Sequence, residues 1–260
     1  MKSAVAALGA FFCSAFLAMA PAGAELPGKV TIGTEGAYPP FNYLDQDGTV
    51  KGFEIDLAKA MCERMKVECD FVIQDWDGII PGLLAKKYDA IIASLYITDE
   101  RKQKIDFSQK YYQVPARFVV PKSSDIEITA EGLADKVIGT QRATSFERFM
   151  RDKFPEVDLR VYATFDEAYL DLVSGRVDAV MGDVVALSEG FLETPDGADF
   201  EFRGPNFTGA EWFGYGAGVG VRKGETELLN AFNEAIDAIR ADGTYDRISE
   251  KWFGFDVYGE

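Results

Sequence analysis

Two short segments with the same pattern constrain the fold of this chain more than any other feature. The first, KYDAIIASLYITDER, covers residues 87–101, and the second, RVDAVMGD, covers residues 176–183. Each has the pattern of a helix end, a turn and a short apolar strand, and a polar residue, Ser94 or Asp183, lies five positions after an aspartate. In an open α/β sheet, ligands bind beyond the carboxyl ends of the strands. The repeat therefore predicts two α/β units facing a shared gap, although two buried strands with polar ends would show the same pattern.

Composition and net charge argue against several classes of partner and cofactor. The 260 residues are 47% hydrophobic and 27% charged, which is ample for one large domain or two small ones. A net charge of −16 argues against nucleic-acid or anionic-membrane partners. The chain has no histidine, the commonest metal ligand and the usual general base, so we expect no metal site and no cofactor.

Residues 1–24 have the features of a secretory signal peptide. Lys2 supplies a positive start, residues 4–20 form an apolar run, and the Ala-Gly-Ala sequence at 22–24 is a cleavage signal of the A-x-A type. We expect the exported mature chain to begin at Glu25. Because the apolar run is short for a membrane span, we expect that chain to be soluble.

The mature chain would retain two of the three cysteines, Cys62 and Cys69, since Cys13 lies within the signal. An even pair in an exported protein suggests a disulfide. Cys62 lies late in a predicted helix and Cys69 begins a predicted strand, so a helix-to-strand turn could bring them to bonding distance. Two buried free thiols are the alternative.

Strand and helix patterns alternate along most of the chain, which predicts parallel βαβ units. The apolar runs predict strands at residues 30–34, 50–53, 69–73, 89–93, 114–121, 137–139, 159–162, 179–182 and 216–221. The helical spacing of apolar residues predicts helices at residues 55–65, 76–85, 145–153, 165–174, 184–192 and 225–241. Glu54 and Asp56 come at the start of the first of these helices, where carboxylates suit the helix dipole.

Two loops and a short helix that begins at Thr98-Asp99 carry candidate site residues. Two prolines keep residues 35–40 out of a helix, so Tyr38 is either a packing residue or an aromatic wall of a site. Arg101 can offer a planar, two-pronged donor to a carboxylate. The polar turn at residues 141–144 opens a helix at Ser145, whose backbone N–H groups could bind an anion, as any capped helix start could.

Residues 52–65, GFEIDLAKAMCERM, resemble the signature segment of the periplasmic solute-binding proteins of family 3, which serve ABC importers of polar amino acids. Five further segments resemble that family in the same order: IGTEGAYPPFNY, WDGIIPGLLAKKYDAIIASLYITDER, SGRVDAVMGD, GAGVGVRK and DGTYDRISEKWF. The chain is most similar to the lysine/arginine/ornithine and histidine binders, and next to the opine binders.

The resemblance implies a fold of the α/β class, the two-lobed type II periplasmic binding protein fold. Each lobe would be a mostly parallel sheet flanked by helices. Lobe 1 would comprise residues 25–112 and 217–260, and lobe 2 would comprise residues 117–207. The crossings at residues 113–116 and 208–216 would form the hinge.

The family's pocket also implies partners for the two α-substituents of an amino acid. Arg101 would pair with the α-carboxylate, helped by the helix-start turn at Ala143-Thr144. Asp183 would bind the α-ammonium group, with the backbone around Ala93-Ser94 and the Ser94 hydroxyl assisting.

For the ligand side chain, the resemblance implies an aromatic sandwich between Tyr38 and Trp76, which suits an aliphatic stem or a guanidinium plane. Glu35 would meet the distal positive charge. Cys62 and Cys69 fall on the positions of the family's disulfide.

This sequence departs from the family's basic-amino-acid binders at three places. Tyr96 stands where they usually have a serine that touches the ligand. Glu35 replaces an aspartate. Arg142 and Ala143 replace a Gly-Ser pair beside Thr144, and Arg142 either adds positive charge near the carboxylate end or points to solvent.

The resemblance implies a monomeric periplasmic protein that is not an enzyme. It would close on an L-amino acid with a cationic side chain, arginine, lysine, ornithine or histidine, and deliver it to the permease subunits of an ABC importer. The first alternative is an opine of the octopine or nopaline type. The second is a cyclohexadienyl dehydratase-like enzyme, in which Glu35 or Glu54 would have to act as the acid or base.

Overall fold

The structure is a computed structural model that describes residues 26–259. The expected signal peptide and Glu25 lie outside the described residues. The strands are β1 Lys29–Thr34, β2 Ala37–Tyr38, β3 Asn42–Leu44, β4 Val50–Lys51, β5 Glu68–Ile73, β6 Ala90–Ile91, β7 Ile105–Tyr112, β8 Ala116–Pro121, β9 Val137–Gln141, β10 Asp158–Tyr162, β11 Ala179–Asp183, β12 Phe200–Phe207 and β13 Ala217–Arg222. The helices are α1 Phe53–Met65, α2 Ile79–Leu84, α3 Asp99–Lys102, α4 Ala130–Leu133, α5 Ser145–Lys153, α6 Phe165–Val173, α7 Val184–Leu187, α8 Ala210–Phe213, α9 Thr226–Ala241 and α10 Thr244–Phe253.

Two five-stranded sheets form the two lobes. The sheet of lobe 1 has the order β5-β1-β6-β13-β7, and that of lobe 2 has the order β10-β9-β11-β8-β12. In each sheet one strand, β13 or β8, runs against the other four. The expected two-lobed α/β fold with mostly parallel sheets is confirmed. A small antiparallel sheet, β2-β3-β4, precedes α1 in the chain.

The chain passes between the two sheets twice. It leaves lobe 1 after β7 and returns to it at β13, so residues 113–115 and 208–216 connect strands of different sheets. That these crossings act as a hinge stays a prediction.

Helix α1 forms because its apolar residues recur at helical spacing and are buried in lobe 1. Gly52 precedes it at a φ of 131°, and a Cβ there would lie 2.2 Å from the carbonyl oxygen of Phe41, so the turn requires glycine. Lys66 ends the helix in the left-handed region. The expected disulfide between Cys62 and Cys69 is present, with a Cα–Cα distance of 6.1 Å, and it ties α1 to β5.

The sequence patterns missed the edge strands β7 and β12 of the two large sheets. Both strands mix polar and apolar residues, which obscures the strand pattern. The other two edge strands, β5 and β10, were predicted from the sequence. β12 also contains Gly204 and Pro205, two residues that argue against a strand when only the sequence is considered. Proline is tolerated here because an edge strand leaves one row of N–H groups without a sheet partner.

Two predicted helices are broken in the structure. Residues 76–85 divide into a 3₁₀ turn, Trp76–Gly78, followed by the short helix α2. Residues 184–192 divide into α7 and a π-helical turn, Ser188–Leu192. Within the described part of the chain, no helix is long and apolar enough to cross a bilayer.

We expect the disulfide to stabilise lobe 1 without taking part in binding. Replacing Cys62 and Cys69 together by alanine should lower the free energy of unfolding by about 2–3 kcal/mol, because the bond closes a short loop in the unfolded chain. Urea denaturation of the variant and the parent measures this. An unchanged denaturation midpoint would contradict the expectation.

Candidate functional site

A small cavity lies between the two lobes. It is lined from both sides by residues that follow strand ends, as expected for an open α/β sheet. The lining residues are Glu35, Tyr38, Trp76, Ala93, Ser94, Tyr96, Arg101, Tyr112, Gln141, Thr144, Ser145 and Phe146. Two of the predicted site residues, Ala143 and Asp183, are not among them.

The cavity continues into a wider groove that opens towards solvent between the lobes. Trp76, Arg101 and Thr144 line both spaces, and Ala143 lines the groove. The groove is therefore the outer mouth of the same cleft, and Ala143 lies at the passage between them.

Arg101 supplies the positive charge of the cavity. Its guanidinium donates to the carbonyl oxygens of Tyr96, at 2.9 Å, and Ala143, at 3.4 Å, and lies 5.2 Å from the ring centroid of Trp76. No carboxylate of residues 26–259 lies within 4.0 Å of it. Removal from water lowers the pKa of Arg101 to about 10, so the group stays charged at neutral pH. An anion in the cavity would be its counter-charge.

The start of α5 holds the Ala143 carbonyl oxygen in place. Ala143 has a φ of 58°, which is costly for a residue with a Cβ. Its N–H donates to Glu147 at 2.7 Å, and the Glu147 N–H donates to the Thr144 hydroxyl at 3.2 Å. This reciprocal cap fixes the turn that contacts Arg101.

Glu35 supplies the negative charge of the cavity. It follows β1, is 6% exposed, and accepts a hydrogen bond of 2.6 Å from the side-chain amide of Gln141, across the cleft. Burial raises the pKa of Glu35 to about 7, and the charges of Glu54, Asp166 and Asp75 add to the rise. A cation beside Glu35 would favour its ionised form.

Two buried polar atoms that line the cavity make no hydrogen bond of normal geometry with the described residues. They are the Ser94 hydroxyl oxygen and the Trp76 indole nitrogen. Buried polar groups are nearly always hydrogen-bonded in native proteins. The Trp76 indole N–H could thus donate to a polar ligand, whereas the Ser94 hydroxyl lies beside the Glu54 carboxylate and interacts with it.

Glu54, expected from its sequence position to suit the dipole of α1, instead holds a turn of the cavity in place. The side chain is fully buried and accepts a hydrogen bond of 2.5 Å from the Ser94 N–H. The Asn42 amide, at 2.7 Å, and the Tyr111 hydroxyl also donate to it. Ser94 has a φ of 51°, and the bond from its N–H holds that strained turn. Burial raises the pKa of Glu54.

Asp183 lies behind the cavity wall. Its side chain is fully buried and accepts a hydrogen bond of 2.9 Å from the Tyr96 hydroxyl, with that of Tyr112 at 3.5 Å. It also caps α7, accepting from the N–H groups of Val185 and Ala186. Burial raises the pKa of Asp183 to about 6.

An ion pair joins the lobes at the mouth of the cleft. Arg142 of lobe 2 lies 2.7 Å from Asp77 of lobe 1. The two side chains are 45% and 41% exposed, so Arg142 spans the mouth of the cleft rather than entering the cavity.

The aromatic wall also involves both lobes. Tyr38 is buried, stacks on Phe41 at a centroid distance of 5.6 Å, and contacts Phe165 of lobe 2 at the same distance. Tyr38 and Trp76 both line the cavity, with no ring contact between them among the described aromatic pairs.

Relatives with similar sequences are extracellular or periplasmic binding proteins. The family model for bacterial extracellular solute-binding proteins, family 3, matches residues 30–255. The chain is 46% identical to the L-arginine-binding protein of Pseudomonas aeruginosa over 88% of this chain and 90% of that protein. It is 46% identical to the lysine/arginine/ornithine-binding periplasmic protein of Escherichia coli, over 91% and 92%, and 43% identical to the histidine-binding periplasmic protein of the same organism, over 94% and 95%.

Solved structures agree with the sequence relatives. An ancestral arginine-binding protein bound to arginine superposes with a TM-score of 0.81 at 38% identity, covering 88% of this chain and 99% of that one. An arginine-specific periplasmic binding protein of Salmonella typhimurium superposes with a TM-score of 0.80 at 34% identity, covering 86% and 99%. An ancestral amino acid-binding protein, described as a precursor of cyclohexadienyl dehydratase, superposes with a TM-score of 0.78 at 34% identity, covering 87% and 96%. This chain belongs to family 3 of the bacterial extracellular solute-binding proteins.

Proposed function

We propose that this protein binds an L-amino acid with a cationic side chain, arginine, lysine, ornithine or histidine, and delivers it to the permease subunits of an ABC importer. The observation that carries the proposal is the pair of opposite charges in the cavity. Arg101 and Glu35 both line it, yet within residues 26–259 they form no ion pair with each other. A zwitterionic ligand can satisfy both groups at once.

Arg101 suits the carboxylate of such a ligand. Its two outer nitrogens already donate to carbonyl oxygens, but a guanidinium has five N–H donors and none of its described bonds neutralises the charge. The strained turns at Ser94 and Ala143 lie on either side of the cleft. They would bring backbone and hydroxyl groups to the same end of the ligand.

Glu35 suits the distal cation. The rings of Tyr38 and Trp76 would contact the aliphatic stem or the guanidinium plane between the two charged ends. The relatives described above are named as binding proteins for arginine, lysine, ornithine or histidine. A carboxyl group at the position of Glu35 suits the cationic side chains of such ligands. A glutamate ligand would bring a second negative charge beside Glu35.

Closure of the lobes would couple binding to transport. A ligand held by Arg101 of lobe 1 and by the α5 turn of lobe 2 makes its full set of contacts only when the lobes are together, so it favours the closed state. We further propose that the protein is a monomer and that it delivers its ligand to the permease in the periplasm.

A catalytic role is not favoured. Of the two candidate acids, Glu54 is fully buried and accepts three hydrogen bonds from the protein. Among residues 26–259, Glu35 is the one acid that lines the cavity, so the described lining offers no second carboxyl group to share acid–base work. Turnover of prephenate or arogenate by the purified protein would show the alternative, dehydratase function. The test is warranted because one similar structure is described as a precursor of cyclohexadienyl dehydratase.

Calorimetry against the amino acids, ornithine, octopine and nopaline tests the proposal. We expect binding of at least one of arginine, lysine, ornithine and histidine, and none of glutamate or aspartate. The protein must first be unfolded and dialysed to remove co-purified solute. Binding confined to neutral or acidic amino acids would refute the role of Glu35, and binding confined to opines would refute the ligand class.

Replacing Arg101 by methionine should weaken binding by about 2–5 kcal/mol, because the ligand carboxylate would then be buried without a counter-charge. Arg101→Lys is the matched control and should recover part of the affinity, since a lysine keeps the charge and loses the two-pronged geometry. Titration calorimetry measures both. Equal affinities for the parent and the methionine variant would exclude a direct contact.

Affinity for arginine should rise between about pH 6 and pH 8. Glu35, with its pKa raised to about 7, is mostly protonated at pH 6 and must lose a proton to pair with a cation. Binding at about pH 6.5 should therefore release a proton, measured as a dependence of the calorimetric heat on the ionisation enthalpy of the buffer. In Glu35→Gln, affinity should be lower and this proton release should be lost. Proton release that persists undiminished in Glu35→Gln would assign it to another group.

A further inference from the structure

We propose that Tyr96 separates the cavity from Asp183, so that the site also binds ω-cationic carboxylic acids that have no α-ammonium group. The inference rests on the proposed function and extends its ligand class. The compounds are the deamino counterparts of the cationic amino acids: 5-guanidinopentanoate for arginine, 6-aminohexanoate for lysine and 5-aminopentanoate for ornithine.

The first observation is that the oxygens of Asp183 are already occupied. One oxygen accepts from the N–H groups of Val185 at 2.8 Å and Ala186 at 3.1 Å. The other faces the hydroxyl groups of Tyr96 at 2.9 Å and Tyr112 at 3.5 Å. A carboxylate accepts about four hydrogen bonds, so Asp183, with three bonds of normal length and a fourth hydroxyl nearby, keeps little acceptor capacity for a ligand ammonium.

The second observation is the position of the Tyr96 ring. Tyr96 and Tyr112 line the cavity, whereas Asp183 does not. The Tyr96 ring packs edge-on against Tyr112 at 6.2 Å and Phe146 at 6.0 Å, so neighbours from both lobes hold it. Its backbone bridges to Ala217. In the closed arrangement, moving the ring aside would break this packing, so the ring forms a wall of the closed cavity.

The third observation is that no other acid within residues 26–259 takes the place of Asp183 at the cavity. Glu54 is fully buried, and protein donors already occupy its oxygens. Among the residues that line the cavity, Glu35 and Arg101 are the charged ones. The lining thus offers one partner for a carboxylate and one for a cation, and it holds no third ionic partner.

An α-ammonium group would consequently meet neutral oxygens. The Tyr96 oxygen can accept a hydrogen bond, because its own hydrogen is donated to Asp183, and the Ser94 hydroxyl can do the same. A neutral hydrogen bond contributes a small net free energy, so deleting the α-amino group should weaken binding by about tenfold or less. Losing a direct contact with a buried carboxylate would weaken it by about a hundredfold or more.

The experiment compares the dissociation constants of 5-guanidinopentanoate and arginine for purified protein stripped of bound solute. For the parent protein, we expect the dissociation constant of 5-guanidinopentanoate to exceed that of arginine by about tenfold or less. In Tyr96→Ser the wall is removed and one Asp183 oxygen faces the cavity, so the ratio should rise to about a hundredfold or more. Tyr96→Phe is the matched control: it also lacks the hydroxyl but keeps the ring, and its ratio should stay near that of the parent.

Asp183→Asn provides a readout that does not depend on the folding of Tyr96→Ser. Asparagine still caps α7, and because the side chain would not touch the ligand, both dissociation constants should change by the same factor. The inference would be overturned if the ratio of the two dissociation constants were above about tenfold in the parent protein and fell to near one in Asp183→Asn. That result would leave the proposed function intact. Absence of binding for every cationic amino acid and every deamino counterpart would overturn both.

Discussion

The partly buried positive charge of Arg101 is the constraint on which the site depends. Its described partners are two carbonyl oxygens and the face of Trp76, which orient the guanidinium without neutralising it. A charge removed from water without a counter-charge is costly, and here contacts from both lobes offset part of that cost, since Tyr96 belongs to lobe 1 and Ala143 to lobe 2. A ligand carboxylate would therefore stabilise the same arrangement that closure produces.

Two candidate site residues, Ser94 and Asp183, could be predicted from a local pattern, because each follows a short apolar run, near the ends of β6 and β11. Glu35 was assigned to the site through the resemblance to a family, and Gln141 was not assigned to it at all. Their partners could not be predicted in the same way. Gln141 meets Glu35 across 106 residues and Tyr96 meets Asp183 across 87, and such pairs depend on how the lobes pack.

In the fold, too, features with a clear local sequence pattern could be predicted and others could not. The central strands β6 and β11 and the edge strands β5 and β10 were predicted from their apolar residues. The edge strands β7 and β12 were not, because polar residues, and in β12 a Gly-Pro pair, interrupt the pattern. The resemblance to a family supplied the overall architecture. It could not supply the consequence of a single substitution, since the effect of Tyr96 depends on the hydrogen bonds that the carboxylate behind it already accepts.

Hydrogen bonds between protein groups of the two lobes stabilise the closed state, in addition to the bonds that a ligand would make. The contacts Tyr96–Asp183 and Glu35–Gln141 join the two lobes and are buried, so solvent and salt screen them little. A ligand shifts the equilibrium only by its differential affinity for the closed state. Glu35 accepts one described hydrogen bond, from the Gln141 amide, so a cation beside it can add to that closing contact without replacing it. At the other end, Arg101 has no carboxylate partner among residues 26–259, so a ligand carboxylate would add a charge pair to the contacts that hold the lobes together.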